Sequence, residues 1–400
     1  MNVRVGAVLT VLLVASDSAA QQGSPQLPET REFRSGAVSV FPTIAIRDVG
    51  TDSNVFNDAT GPKGDFTYTV TPRLFLVAPI ANTRFVVRGL GNLVYYRRYS
   101  DQQSISALVD GRYEVLSPGF RPFVSAGVAD RRERQGYEID LRARQIQSTA
   151  SVGFDADVTA LTAVTAWVSR ETTAWSRNEQ YVGVSLAEQL DRTNTSFAGG
   201  LRFRVTPLTT IVTAVEIERD RFDRSPLRDA DSVRVGPSVD FDTSAAITGH
   251  AKVGYHAFSP LAQGSPHYRG LAASAELRYV FQDATELQVD ADRDVDYSYD
   301  ALRPYYLQSG GRLTVIQRVL GPFRAIAIGE RRILSHQVPG GLSFDGEHEV
   351  TRTLGGGLAI QRGRQVRFTL TYERTKRTSS ESAGRDYERR RFLGSMSYGL

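Results

Sequence analysis

The stretch VRFTLTYE, residues 366–373, decides the fold class of this chain. Its even positions are apolar or aromatic, and its odd positions carry arginine, threonine or glutamate. In an extended strand, successive side chains point to opposite faces, so a pattern that repeats every two residues gives each face its own character. The stretch therefore predicts a strand with one apolar face and one polar, charged face.

The same alternation recurs from residue 36 to the end of the 400-residue chain. It predicts a transmembrane antiparallel β-barrel of about eighteen strands, with sixteen as the other possible number, because single-chain bacterial barrels have even strand numbers. The predicted strands span residues 36–47, 65–78, 83–97, 104–117, 121–131, 145–159, 161–174, 192–206, 208–220, 231–242, 245–258, 268–281, 284–297, 305–319, 322–332, 348–361, 364–375 and 387–400.

The predicted connections alternate between short turns and long loops. Turns such as 206–207 and 320–321 alternate along the chain with loops such as 175–191 and 333–347. Outer-membrane barrels have short periplasmic turns and longer outer loops, and an even strand number leaves both termini on the periplasmic side. A soluble β-sandwich also shows alternating strands, but it does not explain this regular change in loop length.

The N-terminus has the three parts of an export signal. Met1–Arg4 is basic, Val5–Ala15 is apolar but too short to span a bilayer, and Ser18–Ala20 offers small residues for cleavage. We therefore predict a signal peptide at 1–20, a periplasmic lead-in at 21–35 and an outer-membrane barrel at 36–400. The final alternating face, from Phe392 to Leu400, resembles the strand signal that barrel-assembly machinery reads, although that signal usually ends in an aromatic residue.

Composition argues against several other functions. The net charge is +4, and its basic residues are dispersed, which argues against a nucleic-acid partner. The absence of cysteine excludes thiolate sites and cysteine nucleophiles. His250 and His256 lie six residues apart, or about 20 Å along a strand, which is too far to share a metal. Asp48, Asp52, Asn54 and Asn57 lack a calcium-loop pattern, so we expect no metal, no cofactor and no enzyme activity.

Aromatic residues gather near the predicted strand ends. We expect two girdles at the membrane interfaces. The residues near the long loops are Tyr95, Tyr96, Tyr99, Tyr255, Phe258, Tyr297, Tyr299, Tyr305 and Tyr306, and those near the short turns are Phe123, Phe203, Phe281 and Phe323. Trp175, Tyr181 and Tyr268 have the composition of a sugar-stacking site, but we interpret them as girdle residues.

Three short motifs in the N-terminal third resemble those of the β-barrel porin type 2 family. They are DSNVF at 52–56, VTPRLFL at 70–76 and YYRRY at 95–99. The resemblance implies an outer-membrane barrel. Some members of that family are encoded beside exopolysaccharide biosynthesis and export genes, so the resemblance also suggests polysaccharide handling. It supplies no catalytic residues.

The polar face of the strands predicts the lining of the barrel lumen. The candidate lumen residues are Glu216, Glu218, His250, Lys252, His256, Glu276, Arg278, Asp290, Asp292, Arg312, Arg318, Arg367, Arg389 and Arg391. Acidic groups concentrate on 284–297, and arginines on 305–319 and 387–400. Facing acidic and basic walls would create a transverse field across a pore. The alternative is that these charges pair between neighbouring strands and only keep the lumen wet.

Three functions remain open from the sequence. The first is a porin-like diffusion channel for small polar solutes across the outer membrane. The second is a closed barrel that binds or anchors exopolysaccharide as part of an export system. The third, an outer-membrane hydrolase, has no identifiable catalytic pair. The expected partners are membrane lipid, the assembly machinery, and a polar solute or polysaccharide. The oligomeric state is left open.

Overall fold

A computed structural model describes residues 32–134, 136–242, 246–265, 267–336, 348–362, 366–380 and 383–398. The predicted signal peptide, most of the lead-in and Leu400 lie outside the described residues. A three-residue strand, Phe33–Ser35, pairs with residues 38–40 at the start of the barrel.

Eighteen long strands form the body of the molecule. The first nine are β1 Val38–Asp52, β2 Asp65–Ile80, β3 Thr83–Tyr96, β4 Ser104–Val115, β5 Phe120–Arg134, β6 Arg142–Asp157, β7 Thr162–Trp175, β8 Arg192–Thr206 and β9 Thr209–Phe222. The second nine are β10 Ala230–Phe241, β11 Ile247–Pro260, β12 Tyr268–Phe281, β13 Thr285–Tyr297, β14 Tyr305–Leu320, β15 Phe323–His336, β16 His348–Arg362, β17 Val366–Ser379 and β18 Tyr387–Tyr398.

The sheet closes on itself. Each strand pairs antiparallel with the next, and β18 pairs with β1 through registers such as Ile44 opposite Tyr398. Closure leaves no unpaired sheet edge, which satisfies the backbone hydrogen bonds of a structure that spans lipid. The predicted eighteen-stranded antiparallel barrel is confirmed.

The first strand extends beyond the predicted end at residue 47. It continues to Asp52 because a bulge at Arg47 and Asp48 shifts the register against both neighbouring strands. Asp48 has a φ of 55°, a left-handed conformation that aspartate tolerates better than most residues. Asp52 consequently ends a strand, whereas the sequence pattern had placed it in the first loop.

Alternation along each strand separates an apolar outer face from a polar inner face. Outward side chains such as Ile105, Val128 and Leu201 are more than half exposed. Inward side chains such as Thr71 and Glu216 are at most 4 % exposed. A hydrophobic exterior suits lipid, and a polar interior suits a wet lumen.

Helical structure is minor in the described part of the chain. A single turn of α-helix, α1 Leu186–Leu190, lies in the long loop after β7, and the hydroxyl of Ser185 accepts a hydrogen bond from the Glu188 N–H at 3.4 Å. Within the described ranges, no helix has the length and apolarity that crossing a membrane requires.

The predicted aromatic girdles are only partly correct. Tyr95, Tyr255, Phe203, Phe281 and Phe323 are exposed on the outward face, as expected. Adjacent residues of a strand face opposite sides, so every second aromatic points inward. The expectation is therefore wrong for Tyr96, Phe123, Phe258 and Tyr306, which are buried. It is also wrong for Tyr305, because that residue is buried in a cluster with Phe258 and Tyr268.

Candidate functional site

A network of ion pairs covers the inward face between β13 and β18. Arg312 of β14 donates to Glu330 of β15 at 3.1 Å and to Glu373 of β17 at 2.9 Å. Arg391 of β18 donates to the second oxygen of Glu373 at 2.6 Å. Because the Arg312–Glu373 pair passes over two intervening strands, these side chains must lie on the concave side of the sheet.

The acidic residues of β13 belong to the same network. Asp292 pairs with Arg332, whose Nε also donates to Glu330 at 2.9 Å. Asp290 lies opposite Arg312 in the ladder and is half-buried. The predicted acidic strand is therefore interleaved with arginines from adjacent strands, and the pairing alternative describes this part of the lumen better than two opposed walls.

A second network joins β9, β10, β11 and β13. Lys252 lies 3.3 Å from Glu216, and Arg234 pairs with Glu218. Arg234 also lies 3.2 Å from Asp294. His256 is fully buried, and its Nδ1 lies 2.6 Å from the other oxygen of Asp294.

The remaining predicted lumen residues on β11, β12 and β17 share this inward face. His250 lies opposite Glu276, which in turn lies opposite Asp290. Arg278 donates to Glu286 at 2.7 Å. Arg367 is only 3 % exposed.

Two of the predicted lumen arginines have local structural partners at opposite ends of the barrel. Arg318 is exposed, and its Nε donates to the Gly321 carbonyl of a short turn at 3.1 Å. Arg389 donates through Nε to both oxygens of the buried Asp52, at 2.9 and 3.0 Å. These contacts tie Arg318 to a turn and Arg389 to the end of β1.

Parts of the inward charge network remain exposed to solvent. The side chains of Arg88 and Asp110, which pair at 2.8 Å, are 58 % and 28 % exposed. Those of Asp292 and Arg391 are 31 % and 30 % exposed. These charged groups are therefore partly accessible to solvent on the inner wall.

Residues 136–141, here called the inward loop, cross the outer mouth of the barrel. The loop connects β5 to β6, yet it contacts Ser298, which follows β13, and His336 at the end of β15. The strand between these contacts, β14, is nine places from β5 in a ring of eighteen. The loop therefore reaches the opposite wall.

Arginines of the opposite wall hold the inward loop in place. The guanidinium of Arg332 lies 4.1 Å from the centre of the Tyr137 ring. Arg377 donates to the Tyr137 carbonyl at 3.0 Å and also pairs with Asp140. Asn57 of the first long loop donates to Asp140 at 3.0 Å.

Glu138 is the most buried acid of the inward loop, at 2 % exposure. Its Oε1 accepts from the Ser298 hydroxyl at 2.6 Å, and its Oε2 accepts from the Tyr299 N–H at 3.1 Å. Removal from water raises the pKa of Glu138 to about 7, against the lowering effect of these two hydrogen bonds and of Arg385. The carboxyl group thus titrates near neutral pH.

The long loop after β7 packs over the inward loop. Ile139 lies in a buried cluster with Trp175, Leu186, Ala187 and Leu190. The ring of Tyr181 contacts that of Tyr299 edge-on, at 4.8 Å between centroids. Loop 175–191 therefore folds inward over the mouth. Residues 337–347, which belong to the predicted long loop 333–347, lie outside the described residues.

Several residues of the mouth depart from the sequence interpretation. Trp175 and Tyr268 are buried in loop-side clusters, so they belong neither to a membrane girdle nor to an open sugar-binding face. The interpretation of Tyr181 as a girdle residue is wrong for the same reason. The inward loop was recognised only as a long connection, although Ile139 and Leu141 were unusual apolar residues in an otherwise charged loop.

No group of three or more histidine or acidic side chains in the described ranges has a geometry suited to a metal ion. Asp52, Asn54 and Asn57 do not form a solvated surface loop, because all three are buried. Asn54 accepts from the Asp58 N–H at 2.9 Å and donates to the Glu388 carbonyl at 3.1 Å. These residues stiffen the first loop against β18.

A closed barrel with an apolar exterior and a charged interior defines a porin-like protein of the outer membrane. The chain belongs to the family described as "Putative beta-barrel porin 2", whose model matches residues 33–397. The resemblance carried by the three N-terminal motifs is thereby confirmed. No curated protein matches the chain.

Solved outer-membrane barrels are similar to this chain at low sequence identity. OccK2 (OpdF) of Pseudomonas aeruginosa, in complex with glucuronate, is 11 % identical, with a TM-score of 0.49 over 90 % of this chain and 98 % of that one. OpdK of the same organism, with vanillate, is 8 % identical, with a TM-score of 0.47 over 90 % and 98 %. The siderophore receptor PirA of Pseudomonas aeruginosa is 11 % identical, with a TM-score of 0.40 over 90 % and 79 %.

Proposed function

We propose that this protein is a porin-like channel that carries small polar solutes across the outer membrane, with no catalytic role. The observation that carries this proposal is the inward network of charged pairs, which keeps solvent access at residues such as Arg88 and Asp292. A barrel of this strand number has room for an aqueous interior. The predicted lumen residues would line the solute path, with Arg318 and Arg389 at its two ends.

In this proposal the inward loop limits passage at the outer mouth. Its contacts with Ser298, Tyr299 and Arg377 place it across the route from outside to the lumen. Loops that fold into a barrel reduce its effective diameter and set selectivity through their polar groups. The channel would therefore favour small solutes and would conduct less than the barrel diameter alone implies.

The packed mouth also supports the second candidate, a closed barrel that binds or anchors surface polysaccharide. Arg228 is 2 % exposed and donates to the Ser298 carbonyl, and Ser225 donates to the Glu188 carbonyl at 2.7 Å. These contacts join three outer loops into one cap. If this cap never opens, no solute passes through the barrel, and the outer surface of the loops would be the part that binds polysaccharide.

Solute flux into liposomes separates the two candidates and tests the lumen wall. We expect wild-type protein to admit small sugars and amino acids while excluding oligosaccharides.

Arg47 of β1 donates to the uncharged Thr71 and Asn92, and Arg73 faces inward on the next strand. The variant R47Q/R73Q should therefore shift the reversal potential in a salt gradient toward cations. The matched control is R374Q/R390Q, which removes two exposed arginines from the outward face and should change the reversal potential less. In the liposome assay, a folded protein that admits no solute would favour the closed barrel.

Closure of the mouth should weaken as pH rises. Asp296, His336 and Arg385 face Glu138, whose pKa is about 7 when buried and about 4.5 when exposed. Between these values the closed mouth binds more protons than an open one, so closure is strongest below about pH 4.5 and loses about 3 kcal/mol as pH rises through 7.

Thiol labelling measures this opening directly. The chain has no cysteine, and Ala187 of α1 is fully buried in the cluster that packs α1 against Ile139 of the inward loop. We expect A187C to react with an impermeant maleimide faster at pH 8 than at pH 5, by up to about a hundredfold more than A187C/E138Q does. The E138Q background corrects for ionisation of the thiol itself. Equal pH dependence in the two backgrounds would show that Glu138 does not control the mouth.

A further inference from the structure

A row of like charges lies opposite one another on the outward face of β15 to β18. Arg331 is paired in register with Arg352, Arg352 with Lys376, and Arg374 with Arg390. We call these five residues the basic belt. All five are exposed. Like charges directly opposite in a sheet are destabilising, so an anion bound across them would stabilise this arrangement.

The protein itself supplies only part of that negative charge. Glu388 contacts Arg374 at 2.7 Å and Arg390 at 2.7 Å. Five cations and one carboxylate leave a net charge of +4 over four neighbouring strands. The side chains of Arg374 and Arg390 remain 54 % and 59 % exposed despite these contacts, which leaves their guanidinium groups accessible to an external ligand.

The basic belt lies directly outside an apolar part of the same strands. Leu354, Tyr372 and Phe392 each lie two residues nearer the membrane than Arg352, Arg374 and Arg390, respectively, or about 7 Å along the strand. These three apolar side chains are 71 %, 45 % and 51 % exposed. A ligand that fits both surfaces has an anionic head and apolar chains.

A cleft continues this surface around the closure of the barrel. It has a volume of about 510 Å³, and its lining includes Phe66, Arg97, Arg98, Arg390 and Phe392. Two carboxylates also line it: Asp52 is paired with Arg389, and Asp65 accepts from the backbone N–H groups of Arg98 and Tyr99. Arginine binds phosphate oxygens through two parallel N–H donors, which makes such a cleft suited to a phosphate group. Its aromatic floor lies where interfacial aromatic residues meet lipid.

From this geometry we propose that the basic belt and the adjoining cleft bind the phosphorylated head of a glycolipid in the outer leaflet of the membrane. The phosphates offset the opposed arginines, and the acyl chains cover Leu354, Tyr372 and Phe392. Clusters of basic residues at a membrane interface recognise anionic lipid heads in this way. The site is outside the barrel and does not depend on solute passage through the lumen.

Binding of purified bisphosphorylated lipid A to the refolded full chain in neutral detergent tests this site. We expect R352Q/R374Q/R390Q to bind it roughly a hundredfold more weakly than wild type. The control R204Q/R318Q/R362Q removes the same number of exposed arginines near the short turns and should bind as wild type does. Heat-modifiable migration checks that each variant is folded. If the triple variant does not fold, the single variant R352Q replaces it and should also bind the lipid more weakly than wild type.

The source of the anion is tested in the same assay. Dephosphorylated lipid A should not bind measurably, and inorganic pyrophosphate at equal concentration should not displace the lipid. Equal affinity of the belt variant and the control would overturn the proposal. Equal binding of the dephosphorylated lipid would also overturn it, because the phosphates would then contribute nothing. Displacement by pyrophosphate would instead indicate a site for a free anion.

Discussion

The variant E138A is expected to conduct several times more current than wild-type protein at pH 5. Its carboxyl group connects the inward loop to Ser298 and Tyr299 on the far side of the mouth. Alanine leaves that hydroxyl and that N–H without their acceptor in a buried site, at a cost of about 1–3 kcal/mol for each group. The equilibrium between closed and open mouth should shift toward open by at least roughly tenfold. Ion conductance across a planar bilayer measures the change.

Two further variants serve as controls for this result. E138Q keeps the shape of the side chain without the charge; its amide oxygen can accept from the Tyr299 N–H, and its amide nitrogen can donate to the Ser298 hydroxyl. Its mouth should therefore open equally often at pH 5 and at pH 8. E188A removes an exposed acid from the overlying helix α1 and should conduct as wild type does. If E138A and E188A conduct equally, the inward loop does not restrict the pore.

The variant R377A is expected to lose about 3 kcal/mol of its free energy of unfolding. Arg377 and Glu349 form an ion pair in which both side chains are 1 % exposed. Removal of the arginine leaves a buried carboxylate whose remaining cation is Arg385, at 2.8 Å. It also frees the Tyr137 carbonyl and Asp140 of the inward loop. Urea unfolding of the protein in detergent micelles provides the measurement.

The same strand supplies a matched control for this substitution. Arg374 lies three residues before Arg377 on the same strand and faces outward. Its side chain is 54 % exposed in its pair with Glu388. R374A should therefore cost at most about 1 kcal/mol, the usual range for exposed pairs. E349Q in the R377A background should restore part of the loss because it removes the unpaired charge. Equal losses for R374A and R377A would contradict the assigned role of the buried pair.

The barrel itself is predictable from the sequence because its determinants are local. Alternation as in residues 366–373 fixes which face meets lipid, and the change in loop length fixes which end is outward. The number of strands and most of their ends follow from these two signals. The bulge at Arg47 and Asp48 does not follow, since it depends on how β1 meets both β2 and β18.

The inward orientation of the charged strand residues is predictable from the sequence, but their pairing is not. Parity along a strand predicts that Arg312 and Glu373 face inward. Their contact at 2.9 Å depends on the curvature and stagger of the closed sheet. Adjacent aromatics such as Tyr305 and Tyr306 show the limit of a composition argument, because strand geometry prevents both from facing lipid.

The closed mouth is the part that the sequence conceals. Glu138 meets Ser298 across 160 positions, and Arg377 meets Tyr137 across 240. Neither pair belongs to neighbouring strands, so no local period or spacing signals it. The isolated apolar residues Ile139 and Leu141 were the one hint that this loop is buried.

Single-channel recording of the purified wild-type protein in a planar bilayer tests directly whether the barrel is a channel. We expect discrete, reversible conductance steps that are rare at pH 5 and frequent at pH 8, because the buried carboxyl of Glu138 ionises between these values. Heat-modifiable migration must first show that the barrel is folded. A folded barrel that stays silent at both pH values, in wild type and in E138A alike, would contradict a channel function.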